Sequence, residues 1–412
     1  MLFKMAAVVE KVKTKRLFLS VYSLFRSRHF STFSFAHELS VYRRRSSPCV
    51  NHFSRRSTRI WSFSRQDDLT KALSDAEKIV GYPTSFLNLR YLLSDEISNI
   101  AMYMKRFAMS KHPLLRTARG FVTDENQTIQ TRGLLVLLIS KASRPCLNSD
   151  HYITDQELVA DIYSSQRQLA DITETIHTAN LVHTGIVDMS SIESSSKSYQ
   201  DDMEFGNRMA VLSGDFLLAN ACTGLAELKN TEVVCMISEV IGHLMEGEFL
   251  KMAFSGQNLN LDFWNELVFK CKGSLMANSC KAALKIVSHS TELQNKAFEF
   301  GKNLAYAHQL KEDLHSLFER KSPTVLYSAP VILASGQTEV KKLVNCIFEE
   351  KNSEKLGAFQ EELRNLVTSN QSVKEMEELC SFYANKALES LDPFPDSEAK
   401  QALLNITKSF AV

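Results

Sequence analysis

The spacing of apolar residues constrains the fold of this 412-residue chain more than any other feature. From about Asp67 onward, apolar residues recur every three or four positions, as Leu169, Ile172 and Ile176 do, which is the spacing of one helix face. The whole sequence contains only 14 Gly and 8 Pro, so few residues interrupt long helices. No strand-like alternation persists and no fixed repeat appears. We therefore expect an all-α bundle of roughly a dozen helices around one core.

Breaker residues divide this region into predicted segments. A Ser-rich loop is predicted over 190–198 and an apolar, irregular stretch over 323–337. Helices are predicted over 67–80, from 84 or 85 to about 111, and over 132–143, 154–187, 205–228, 233–254, 262–288, 291–320, 340–348, 356–366, 373–391 and 397–410.

The first 66 residues differ in composition from the rest. They contain 14 Lys and Arg but only two acids, whereas residues 67–412 carry 34 basic and 45 acidic residues, a net charge of −11. Such a basic, Ser-rich leader, with apolar residues among its charges, predicts a mitochondrial transit peptide. The other interpretation, a disordered arm that binds nucleic acid, fits the apolar residues less well. We divide the chain into a leader over 1–66 and a helical domain over 67–412, and expect a mitochondrial matrix protein with no nucleic-acid partner.

The sequence predicts neither a membrane span nor a zinc or redox site built on cysteine. No apolar run approaches the ~20 residues that a membrane span needs, so we expect at most peripheral contact with a membrane. The eight Cys include no C-x-x-C pair, so neither a zinc site nor a redox motif is indicated. Cys222, Cys271 and Cys280 lie in apolar stretches and are predicted to be core thiols.

Several separated blocks carry a resemblance to a known family. Over nearly all of 67–412, the chain resembles the trans-prenyl-diphosphate synthases, which condense an allylic diphosphate with isopentenyl diphosphate. The resemblance implies the isoprenoid-synthase-type helical bundle. The blocks at 76–86, 92–101, 112–115 and 385–389 resemble the non-catalytic subunits of heteromeric decaprenyl-diphosphate synthases. The segments most similar to the family as a whole are Glu174–His183, Phe205–Leu218 and Gly301–Gln309.

The first metal-binding motif of the family is degenerate in this chain. Family members hold Mg²⁺ and the diphosphate with two Asp-Asp-x-x-Asp motifs, whose first and last Asp share a helix face and supply the oxygen ligands that Mg²⁺ prefers. The first motif should begin at position 184, where the sequence has Thr184, Gly185 and, at its end, Asp188. Gly185 also costs a helix interior about 1 kcal/mol relative to Ala. We expect no metal to bind here.

The second motif retains two acids, Glu312 and Asp313, but its last position is Ser316. Without the resemblance, these two acids would be interpreted as an ordinary solvated helix face. At the isopentenyl-diphosphate site only Arg132 remains of three cations, and a diphosphate needs several charge-assisted hydrogen bonds. The Lys-Thr pair of the family is replaced by Cys271 and Lys272.

Two functional hypotheses of different class follow. In the favoured one, the chain is a non-catalytic or regulatory subunit of a heteromeric all-trans-polyprenyl (decaprenyl) diphosphate synthase, which condenses farnesyl diphosphate with isopentenyl diphosphate to make the ubiquinone side chain. The resemblance implies a catalytic partner subunit that holds Mg²⁺, and a heterotetramer. The alternative is an independent prenyl-diphosphate enzyme that uses Glu312, Asp313 and Asp188. One acid at the first motif is too few for Mg²⁺ and a diphosphate, which favours the subunit.

Overall fold

The computed structural model describes residues 63–80, 131–144, 158–189, 196–256, 259–318, 324–350, 353–369 and 371–410. Within these ranges the chain is all-α except for one short hairpin, which confirms the predicted fold class. The elements are α1 (Phe63–Val80), α2 (Thr131–Ala142), β1 (Leu158–Val159), β2 (Ile162–Tyr163), α3 (Ser164–Thr184), α4 (Lys197–Glu227), α5 (Thr231–Ala253), α6 (Leu261–Val268), a π-helical turn (Phe269–Gly273), α7 (Ser274–Lys285), α8 (Thr291–Phe318), α9 (Ala329–Ala334), α10 (Thr338–Glu349), α11 (Ser353–Ser369), α12 (Ser372–Ser390) and α13 (Glu398–Lys408).

Most predicted helices lie within a few residues of the observed ones. The prediction of helix over 84–111 lies outside the described residues, as does almost all of the leader. The predicted loop over 190–198 is described only at its end, where α4 begins at Lys197, earlier than expected. The predicted helix over 262–288 is divided by the π-helical turn, and α9 lies in the stretch predicted to be irregular.

The predicted start of α3 at residue 154 is wrong. Residues 158–163 form a two-stranded antiparallel hairpin. Its turn residues, Ala160 and Asp161, have φ of 53° and 65°, the left-handed conformation that matches the twist of paired strands. The helix then begins where the backbone N–H of Tyr163 donates to Gln166 Oε1 at 3.1 Å. Apolar residues in the hairpin happen to continue the helical spacing, which misplaced the boundary.

The most deeply buried helix is α2, in which Leu134 through Ile139 are all at most 5% exposed. It packs against α1, α3, α7 and α13, while α8 packs between α7 and α12. The core around these helices contains most of the buried apolar residues. A second, smaller core joins α9, α10 and α11 to the end of α8. The outer helices α4 and α5 cover α3 and α7 respectively.

Helix α4 meets α3 through small residues such as Ala210 and Gly214, and most of its remaining surface is exposed. In the described part of the chain, it is the one helix long and apolar enough to cross a membrane by length and composition, with 28% of its most apolar window buried. Helices of soluble proteins also meet this criterion, so it is weak support for a span. Of the predicted core thiols, Cys280 is buried, Cys271 is half-buried and Cys222 is exposed.

Candidate functional site

The first motif position lies where α3 stops. Thr184 is the last residue of α3 and its hydroxyl donates to a carbonyl of its own last turn at 3.0 Å. Gly185 caps the helix, and beyond it the Asn207 side chain pairs with both backbone groups of Val187 at 2.7 Å. Asp188 therefore does not follow Thr184 by one helical turn. The shared helix face that the metal-binding motif requires is not formed.

The second motif retains Asp313, whose carboxylate is hydrogen-bonded within the fold. Asp313 accepts hydrogen bonds from Trp264 Nε1 at 3.3 Å, Gln309 Nε2 at 2.8 Å and the backbone N–H of Ala329 at 2.9 Å. Ala329 is the first residue of α9, so the carboxylate lies at a helix N-terminus, where negative charge is favourable. Burial raises the pKa of Asp313, and these three donors counter part of that rise. The carboxylate thereby joins α6, α8 and α9.

Glu312, the neighbouring acid, has a different environment. Its carboxylate lies 3.8 Å from Lys272 Nζ and 3.8 Å from His308 Nδ1. Burial alone would raise the pKa of Glu312, but His308, Lys272 and Arg132 together hold it below its usual range. Burial lowers the pKa of His308 to about 4, so at neutral pH Lys272 is the charged partner. The hydroxyl of Ser316 donates to the carbonyl of Asp313 at 3.0 Å.

Arg132 lies at the start of α2 and its guanidinium donates to His177 Nε2 at 2.8 Å. The next residue, Gly133, donates its backbone N–H to Glu174 Oε1 at 2.7 Å. Burial lowers the pKa of His177 well below its usual value, so the ring is a neutral acceptor. Burial also lowers the pKa of Arg132, whereas Glu174 and Glu312 raise it. Arg132, predicted to be the one cation left at the diphosphate site, thus already has partners within the chain.

A small cavity of about 50 Å³ lies beside this cluster, lined by Arg132, Lys272 and His308 and by apolar residues of α1, α8 and α13. Pockets that enclose small molecules are typically about 300–1,000 Å³. A cavity of this size holds a few waters. It does not hold an isoprenoid diphosphate.

Sequence reasoning placed Lys272 at the family's Lys-Thr position but did not assign His308, Glu174 or His177 to this cluster. Lys272 is presented by the π-helical turn, a local irregularity that the residue pattern did not indicate. His308 precedes Glu312 by one helical turn, so the i, i+4 spacing was an available signal. Glu174 and His177 have the same kind of signal, because they lie three residues apart on α3.

The residues present do not fit a Mg²⁺ site. Both oxygens of the Asp313 carboxylate accept N–H groups, whose partial positive charge would face a cation bound there. The ammonium of Lys272 lies 3.8 Å from the Glu312 carboxylate, so a cation of the chain itself already offsets this negative charge. Within the described ranges, no group of three or more His, Cys, Asp or Glu side chains is arranged to hold a metal ion.

Two carboxyls beneath this cluster should make stability depend on pH. Burial raises the pKa of Glu174 from its usual 4.5 to about 7 and that of Asp171 from 3.8 to about 7. Each also has one buried oxygen without a hydrogen-bond partner. The pKa of each carboxyl is higher in the folded state than in the unfolded state, so the unfolded state loses its proton at a lower pH. The free energy of unfolding therefore falls as pH rises from about 4 to about 7.

We therefore expect Glu174→Gln, which retains the acceptor for Gly133, to stabilise the protein above pH 7. A pKa that rises from 4.5 to about 7 on folding corresponds to about 3 kcal/mol. Urea unfolding of wild type and variant at pH 4.5 and pH 8 measures the effect, which should be much larger at pH 8. Glu377→Gln on α12 is the control, and an equal effect at both pH values would contradict the prediction.

Comparisons with known proteins show similarity in both sequence and fold. Residues 125–325 match the family model described as polyprenyl synthetase. "All trans-polyprenyl-diphosphate synthase PDSS2" of Rattus norvegicus is 43% identical over 352 residues, which cover 83% of this chain and 86% of that protein. "Decaprenyl-diphosphate synthase subunit 1" of Schizosaccharomyces pombe is 30% identical, covering 79% and 91%. The apo form of an Arabidopsis medium/long-chain length prenyl pyrophosphate synthase is structurally similar, with a TM-score of 0.54, 25% identity and coverage of 78% and 98%. The fold is the all-α isoprenoid synthase bundle.

Proposed function

Because this chain belongs to the polyprenyl synthetase family, we propose that it is a non-catalytic subunit of a heteromeric all-trans-polyprenyl-diphosphate synthase. The observation that carries the proposal is the environment of Asp313. This carboxylate is one of the two acids that remain in the second metal-binding motif, and it accepts hydrogen bonds from three N–H donors in three parts of the chain. An acid used in this way stabilises the fold and is poorly available to hold Mg²⁺.

The other two binding sites support the same proposal. The first motif lies at the end of α3, where Thr184 and Gly185 replace carboxylates and Asp188 is out of register. At the diphosphate site, Arg132 bonds His177, and Lys272 pairs with Glu312. An ammonium that is already paired and a guanidinium whose N–H is already used in a hydrogen bond have less capacity left for a substrate. The alternative, an independent enzyme using Glu312, Asp313 and Asp188, would need all three residues to leave their present environments.

The proposal includes a catalytic partner subunit that supplies the Mg²⁺ sites and both diphosphate sites. The assembly we propose is a heterotetramer that makes the polyprenyl side chain of ubiquinone from farnesyl and isopentenyl diphosphates. The relative described as subunit 1 of a decaprenyl-diphosphate synthase supports a partnered arrangement. The basic leader of residues 1–66 supports placement in the mitochondrial matrix.

The test is reconstitution. We expect the purified chain with Mg²⁺, farnesyl diphosphate and radiolabelled isopentenyl diphosphate to give no product above background. With the catalytic subunit present, extraction and chromatography should show long-chain polyprenyl diphosphate formed at more than ten times the initial rate of the catalytic subunit alone. Robust turnover by the isolated chain would favour the independent enzyme and contradict the subunit proposal.

A variant at the first motif tests whether this motif contributes to turnover once the complex has formed. Thr184→Ala removes a hydroxyl that bonds only within its own helix end. We expect the reconstituted complex carrying this change to retain turnover within about twofold of wild type, because the hydroxyl bonds only the end of its own helix, and its loss should affect stability alone, by about 0.5–1.5 kcal/mol. A large loss of turnover with the complex intact, measured by size exclusion, would mean that the degenerate motif still acts on substrate.

A further inference from the structure

The start of α2 is held by two side chains of α3. Glu174 accepts the backbone N–H of Gly133 at 2.7 Å and a further hydrogen bond from the backbone N–H of Arg132. N–H groups in the first turn of a helix have no partner within that helix, so Glu174 acts as a cap that another helix supplies. One turn further along α3, His177 accepts the Arg132 guanidinium at 2.8 Å. We call these contacts the α2–α3 clip.

A glycine allows the two helices to approach this closely. A Cβ at Gly133 would lie 2.9 Å from Cγ of Glu174 and 3.2 Å from the carbonyl oxygen of Ala170. The two residues before Gly133 are only half-buried, whereas Leu134 through Ile139 are buried. The first turn of α2 can therefore leave α3 with a smaller loss of apolar burial than the rest of the helix. Segments of this kind open locally, without global unfolding.

At the clip, two acids lie in surroundings that favour a proton over a charge. Glu174 is 1% exposed, and Asp171 precedes it by three residues on α3. Each carboxyl has one buried oxygen with no hydrogen-bond partner, Oδ1 of Asp171 and Oε2 of Glu174. A protonated carboxyl carries a donor of its own and costs less to bury than an ionised one. Burial raises the pKa of both acids to about 7, and for Asp171 the nearby Glu174 adds to the rise.

The charged groups around the two acids oppose this effect only in part. Arg167 on α3 lowers the pKa of Asp171, and Arg132 on α2 lowers that of Glu174, but burial has the larger influence on each. Glu312 on α8 offsets some of the positive charge of Arg132. Other polar groups that contact or act on this part of α3 are Glu227 on α4, Ser279 and the carbonyl of Ala283 on α7, Lys272 on the π-helical turn and His308 on α8.

We propose that Asp171 and Glu174 together hold one proton near neutral pH, and that loss of this proton opens the α2–α3 clip. With both acids ionised, two like charges lie within one turn of α3, and separation of the first turn of α2 admits water to them. In the open state each acid has its ordinary pKa, so the open state loses protons at a lower pH than the closed state. Opening is therefore favoured as pH rises from about 4 to about 7 and levels off above that range. The switch also sets whether Arg132 stays on His177.

Hydrogen exchange of the full chain tests this proposal. The exchange rate of the Gly133 amide, divided by its chemical rate at each pH, gives the opening constant. We expect this constant to exceed that of Ala384, a fully buried residue of α12, by at least about tenfold at pH 7.5. Between pH 5 and pH 7 it should rise at least about tenfold per pH unit. In Asp171→Asn/Glu174→Gln it should not change with pH, whereas Glu378→Gln, at an exposed acid of α12, should keep the wild-type profile.

The outcomes distinguish a local switch from global unfolding. If Gly133 and Ala384 have the same opening constant at every pH, only global unfolding releases α2 and the proposal is overturned. If the double variant keeps the wild-type pH dependence, other groups control the opening and the proposal is equally overturned.

Infrared difference spectra between pH 6 and pH 8.5 supply a readout that does not require the double variant to fold. Wild type should lose the C=O band of a protonated carboxyl over this range, and Glu174→Gln should lose less of it. A wild-type spectrum without such a band would contradict the shared proton. None of these measurements needs a partner subunit, so this inference and the proposed function are tested separately.

Discussion

Replacing Asp313 with alanine is expected to lower the free energy of unfolding by about 3–5 kcal/mol. The change leaves three donors without their acceptor: Trp264 Nε1, Gln309 Nε2 and the N–H of Ala329. Trp264 is 1% exposed, so water cannot easily replace the lost partner. A buried donor left unpaired costs about 1–3 kcal/mol. The start of α9 also loses the negative charge at its N-terminus. Chemical denaturation at pH 7 measures the loss.

Glu312→Gln is the matched control, because it alters the adjacent acid of the same motif. Glu312 is about half exposed and its pair with Lys272 is long, at 3.8 Å. We therefore expect a change below about 1 kcal/mol. If Asp313 were instead a metal ligand, Asp313→Ala would abolish Mg²⁺-dependent activity of the complex while leaving the unfolding curve nearly unchanged. That outcome would contradict both the structural role of Asp313 and the proposal built on it.

Replacing Gly301 with valine is expected to cost about 3 kcal/mol or more. A Cβ at Gly301 would lie 2.7 Å from the carbonyl oxygen of Met276 and 2.9 Å from Cα of Ala277. Both atoms belong to the backbone of α7, so no side-chain rotation can relieve the overlap. The two helices would have to separate at the centre of the core, where Phe300 and Leu304 are also buried.

The same substitution at Gly357 is the control for helix propensity. Gly357 lies within α11, and a Cβ there meets nothing within 4 Å. Gly357→Val should change the melting temperature little or raise it slightly, because valine is the better helix former. Circular dichroism melts of both variants make the comparison. A similar small effect at both positions would mean that α7 and α8 are not in the close contact seen here.

Individual elements show why some sequence predictions succeeded and others failed. The period of apolar residues placed α2, α5, α8 and α12 within a few positions, because burial of one helix face imposes that period. The hairpin over 158–163 was missed, since its left-handed turn uses Ala160 and Asp161 and has no glycine to mark it. Cys222 was expected in the core and is exposed, because an apolar stretch does not distinguish the core side of α4 from its outer face.

Sequence alone determined the all-α class, the family resemblance and the absence of carboxylates at positions 184 and 185, since these depend on local composition and spacing. Only the tertiary structure decided what the remaining charged groups do. Asp313 meets donors from residues 264, 309 and 329, and Arg132 meets His177 across 45 positions. Hydrogen bonds and pKa values depend on which distant segments the fold brings within about 3 Å. For that reason, the replacement of two motif carboxylates by Thr184 and Gly185 was visible in the sequence, but the structural use of Asp313 was not.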